Sequence, residues 1–173
     1  MIKDFSDEFE RYKILGNKAL SQISDDMLNR IIGADNNSAA IIVRHISGNL
    51  VSRFTDFLDS DGEKDWRDRD SEFENQDYTR QEVEQLWARG WGVLESQMAK
   101  LNDSDLQKQV RIRGQALTVN QALARSVAHI AYHVGQIVLL ARILADGNWQ
   151  WLSIPKGESK KYNLAPNMEK KPL

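Results

Sequence analysis

The chain has 173 residues, with 23 Lys and Arg against 25 Asp and Glu, a formal net charge of −2 at pH 7. That length suits one domain, and 41% hydrophobic with 28% charged residues is a globular composition. The charge balance leaves no electrostatic footprint for nucleic acid or an anionic membrane, and the absence of cysteine excludes disulfides, zinc ribbons and cysteine nucleophiles. The opening MIKDFSDEFERYK has no signal-type apolar stretch, and no window approaches about 18 uninterrupted apolar residues. A cytoplasmic protein with no nucleic-acid or membrane partner is expected.

All three prolines, Pro155, Pro166 and Pro172, fall near the C-terminus, so nothing breaks a helix before them. Four helices are predicted. The first spans about Asp4 to Ile23, with Phe5, Phe9, Tyr12 and Leu20 as its apolar stripe and Asp4, Asp7 and Glu8 at the positive end of its dipole. The second starts at Asn37 or Ser38 and continues to about Leu58. Residues 60–78 then form a long charged crossing loop, whose alternating Asp, Glu, Lys and Arg read as a solvated segment. Thr79 and Glu82 make a capping box for the third helix, which runs to about Lys100. Between helices three and four, apolar residues alternate on either side of Arg113-Gly114, a pattern that predicts a short β-hairpin. A second capping box, Thr118 with Gln121, opens the fourth helix, which runs to about Ala145 before Gly147. The expected fold is all-α: a four-helix bundle over residues 1–152, followed by an extended polar tail over 153–173.

Only three histidines are present, and all lie on predicted helices. His129 and His133, four apart on the fourth helix, stand one above the other and close enough to share an ion. His45 on the second helix can supply a third imidazole if the two helices face each other. On both helices the histidines fall at the margin of the apolar arc, beside residues such as Asn49, which suits a site with one open wall. Three ligands with a vacant position match catalytic rather than closed structural metal sites. The alternative is that each is a hydrogen-bonded core histidine. The zinc-peptidase motif is absent because position 130 is Ile, and a di-iron carboxylate site lacks its Glu-x-x-His pairs. Asn49, one turn after His45, is a candidate to orient a ligand or bind the metal's water, or else an amide bonding within the bundle. Gln136, one turn after His133, and Arg125, one turn before His129, are candidates to line the same mouth, where Arg125 could hold a carboxylate or pair with a surface acid. Trp87 and Trp91 read as core packing, with Gly90 and Gly92 allowing close approach of another helix.

A histidine in the second helix and HxxxH in the last, within RHISGNLVSRF and AHIAYHVGQIVLLA and followed by WLSIPKGES, resemble the DinB/YfiT-like superfamily of metal-dependent four-helix bundles, and one bacterial subfamily of it without assigned activity. The resemblance implies one divalent ion, nickel or zinc, held by His45, His129 and His133, usually in a homodimer. Relatives include S-transferases and isomerases that use low-molecular-weight thiols such as bacillithiol or mycothiol. The function expected is therefore a metal-dependent enzyme acting on a small molecule, S-transferase-like. A metal-dependent hydrolase, or a non-catalytic metal-binding dimer serving stability or metal sensing, remain the alternatives; no motif identifies a catalytic residue beyond the ligands.

Overall fold

The computed structural model describes residues 1–145 and 147–168, and it is mostly helical with a small antiparallel sheet. Its helices are α1 (Ile2–Leu20), α2 (Ala39–Phe54), α3 (Arg80–Met98), α4 (Val119–Leu144) and the single turn α5 (Ser159–Tyr162); β1 (Gln109–Ile112) pairs with β2 (Gln115–Thr118). Helix α1 packs against α3 and α4, and α2 packs against α3 and α4, so the four long helices surround one apolar core. By length and composition α4 could cross a bilayer; here its buried face, with Leu123, Ile130, Val134 and Ile137, closes that core.

Local chemistry explains where the elements start. Ser38 Oγ accepts from Ile41 N at 3.2 Å, and reciprocal capping boxes form at Thr79–Glu82 and Thr118–Gln121, where expected. Helix α1 starts earlier than its sequence suggests because a remote side chain caps it: Asp103 Oδ1 accepts from Ile2 N at 2.7 Å. Helix α2 ends at Phe54, short of Leu58. Thr55 turns extended and Asp56 takes φ 48°, yet Phe57 still buries, so the apolar spacing outlasts the helix. The tail expected to be extended holds the one-turn α5, and its last five residues lie outside the described residues.

The helices approach closely where glycine permits it. A Cβ on Gly90 would stand 2.8 Å from Ser47 Cα, so α3 and α2 meet backbone to backbone there. Gly16 gives the same latitude to the Trp87 ring, and Trp87 and Trp91 both sit in the core, 5.4 Å apart between centroids.

The hairpin forms as predicted, with Arg113 (φ 52°) and Gly114 (φ 74°) both left-handed, the signature of a tight I′ turn. It is pinned from the crossing loop. Asp61 Oδ1 accepts from Glu63 N and Arg113 N, both at 2.8 Å, and Oδ2 accepts from Gly114 N at 2.7 Å. Gly62 N donates to Arg111 O at 2.8 Å, and Ser52 on α2 donates to Gly62 O at 2.9 Å. Burial alone would raise the Asp61 pKa, but the donors from Glu63, Gly114 and Arg113 outweigh it and hold the carboxyl below its ordinary 3.8. The linkage follows from that direction: the stabilisation is full above pH 3.8 and fades as the pH falls through the lower folded value. Asp61→Asn is expected to lose about 1 kcal/mol near neutrality, a partly exposed charge-assisted cluster. In urea unfolding, its deficit against wild type should shrink as the pH is lowered below 4; a deficit that stays constant would refute the assignment.

Candidate metal site

The three histidines converge. His45 on α2, and His129 and His133 on α4, each offer a ring nitrogen, and these nitrogens lie within 4.8 Å of one another. His45 is buried at 3% exposure, the other two are half-buried, and ring centroids are 4.6 to 5.3 Å apart. His45 Nε2 and His129 Nε2 face each other at 3.3 Å. Two nitrogens on a common ion at about 2.1 Å each stand about 3.0–3.4 Å apart, so this spacing fits a shared ion.

Each of two rings is steered from behind. His45 Nδ1 donates to Glu72 Oε2 at 2.8 Å, and His133 Nδ1 donates to Gln136 Oε1 at 2.8 Å. In the neutral rings this leaves both Nε2 lone pairs free, the tautomer that metal-binding imidazoles need. Gln136, expected to line the mouth of the site, is bonded to the His133 ring and is not among the residues that line the cavity. His129 Nδ1 is buried without a partner, so no hydrogen bond steers that ring from behind. Burial first, and then the neighbouring His133, His45, Arg53 and Arg67, push the His129 pKa down to about 3. Burial likewise lowers that of His133, against the Gln136 bond that raises it. Protonation therefore does not compete for either ring at neutral pH.

Glu72 and Arg67 escaped the sequence reading. Both belong to the crossing loop taken as solvated, yet the Glu72 and Arg67 side chains are only 7% and 3% exposed. Arg67 grips the carboxylate with Nε at 2.8 Å and Nη2 at 2.9 Å. Burial raises the Glu72 pKa, but His45 and Arg67 outweigh it and hold the group ionised. One signal was present: Gly48, one turn before Ser52 on the same helix, has no side chain where the Glu72 carboxylate lies. Phe73, next in the loop, covers the His45 ring with centroids 4.6 Å apart.

The His45 and His129 rings open onto a cavity of about 470 Å³. His45 and His129 form one wall with Asn49, and Ile112, Ala128 and Tyr132 add an apolar side. Asn49 and Arg125, both singled out by helical spacing, line this cavity and make no side-chain hydrogen bond among the described residues. Tyr132, 64% exposed, stands at its rim.

Fold and rings together define a helical protein with a three-histidine site able to hold one metal ion. The chain belongs to the family described as "Protein of unknown function (DUF1572)", whose family model matches residues 1–158. No curated protein and no solved structure matches the sequence.

Truncating Glu72 leaves the buried Arg67 with only the longer Glu63 contact, at 3.7 Å. Glu72→Leu is expected to cost about 3–5 kcal/mol, since Arg67 keeps its charge away from water. Adding Arg67→Met should restore part of that loss, so the double variant unfolds at a higher urea concentration than Glu72→Leu. If the double variant is instead the less stable, the pair is not the electrostatic unit described.

Proposed function

We propose that this chain is a metal-dependent enzyme of the DinB type, which holds one divalent ion through His45, His129 and His133 and transfers a low-molecular-weight thiol to an electrophile. The observation that carries the reading is the convergence of three imidazoles from two helices, two of which, His45 and His129, line an open cavity. An all-nitrogen set of three suits zinc or nickel, and leaves coordination positions for a small molecule. Such an ion supplies Lewis acidity, favouring the ionised form of a thiol or water beside it.

The chain's own residues divide the remaining work. Glu72 and Gln136 fix the His45 and His133 rings, and Phe73 covers the His45 ring. No carboxylate is among the lining residues, and Glu72 behind the wall is already engaged by His45 and Arg67. A general base is therefore missing from the cavity wall. That favours a nucleophile acidic enough to ionise without one, a thiol over water. In the transfer, the sulfur forms a bond to the electrophilic carbon, the bond to the leaving group breaks, and the thiol proton goes to solvent.

The ring of contacts α1–α4–α2–α3 supports a DinB-like four-helix bundle. The outward stripe of α4, with Leu139 and Ile143 more than half exposed, supports a homodimer.

Two measurements test the reading. Dialysed protein is expected to retain about one zinc or nickel per chain, and His129→Ala to lose it. The loaded protein should then speed reaction of a small thiol with an alkylating dye, and a chelator should abolish the gain. Rates no higher than those of the same metal in buffer would remove the transferase reading, and absence of bound metal under replete conditions would remove the site.

A further inference from the structure

Beyond the histidines, the same cavity is lined by Arg53, Arg67, Arg69, Arg113 and Arg125, with no acid among its lining residues. The nearby carboxylates are already used. Glu72 is held by Arg67 and His45, and Glu63 pairs with Arg113 at 3.2 Å and Arg67 at 3.7 Å. Arg69 stacks on Phe73, 5.1 Å from its centroid, and only grazes Asp70 at 3.9 Å. Two guanidiniums remain. Arg53 on α2 has its Nη1 buried with no hydrogen-bond partner, and Arg125 on α4 makes neither hydrogen bond nor ion pair among the described residues.

A guanidinium stays charged at any physiological pH, so a buried, unpartnered one is costly unless something supplies a counter-charge. Burial does most to lower the Arg53 pKa; Glu63 opposes, and Arg67, Arg125 and Arg113 lower it further, a measure of how much positive charge gathers here. Such a fork fits a planar carboxylate or a phosphate, with two parallel N–H···O bonds. We propose that Arg53 and Arg125 form an anion subsite in the histidine cavity, so that the substrate or thiol is a small molecule carrying a carboxylate or phosphate at one end and its reacting atom at the other. The volume suits a small molecule. Its body would lie along Ile112 and Tyr132, with the Asn49 amide free to bond it. This deepens the histidine-site reading and rests on it only for where the reacting end goes.

The test is calorimetric titration of the full chain, after chelator treatment, with inorganic phosphate and with succinate, against sodium chloride at matched ionic strength. Saturable binding of phosphate or succinate is expected, weakened about tenfold or more by Arg53→Gln and by Arg125→Gln. Preference for phosphate would assign a phosphorylated ligand, and preference for succinate a carboxylic acid. Arg125 is exposed, so its variant tests the subsite even if Arg53→Gln does not fold. Binding no tighter than chloride, or unchanged by Arg125→Gln, overturns the proposal. The metal analysis above is independent: a chain that binds anions but no metal refutes the histidine reading alone, and one that binds metal but no anion refutes the subsite alone.

Discussion

Much of this structure hangs on one buried chain of contacts, from the Arg67 guanidinium through the Glu72 carboxylate to the His45 ring. Two full charges removed from water are tolerable only when each faces the other with its hydrogen bonds made. The crossing loop must therefore come down onto α2, and Gly48 is the position where the helix leaves room for it. Once seated, the carboxylate dictates which nitrogen of His45 carries the proton, and so which one faces α4. The loop that looks most like solvated linker is thus the part that aims the most buried ring of the site.

The electrostatic character of the cavity follows. Burial and neighbouring charges favour the uncharged form of His129 and His133, while the arginines cannot lose their charge. Imidazoles and permanent cations therefore share a wall that no carboxylate lines, Glu72 lying behind it between Arg67 and His45. The hairpin takes part as well: Asp61 holds its turn, and the turn carries Arg113, so a loop carboxylate that does not line the cavity positions one of its cations.

The helical elements were legible because their signals are local. Capping boxes at Thr79 and Thr118, the serine at position 38 and the Arg113-Gly114 turn all act within a few residues. His129 and His133 were legible for the same reason, and His45 followed from facing apolar arcs. What stayed hidden acts at a distance. Asp103 caps a helix 101 residues away, and Glu72 meets His45 across 27 residues, inside a stretch whose composition is that of a surface loop. The early end of α2 was masked because Phe57 remains in the core after the backbone has left the helix. Arg53 gave no signal by spacing, since only the closing of loop, hairpin and α4 around it makes its charge exceptional.

The facing rings of α2 and α4 are 84 residues apart in sequence. An ion held between them would act as a reversible cross-link, joining distant parts of the chain only when these are folded. Heat resistance would then become a function of how much free ion surrounds the molecule, gaining about 1.4 kcal/mol for each tenfold rise beyond saturation. A preparation stripped during purification and one kept replete would behave as two materials of different toughness, although their sequences are identical.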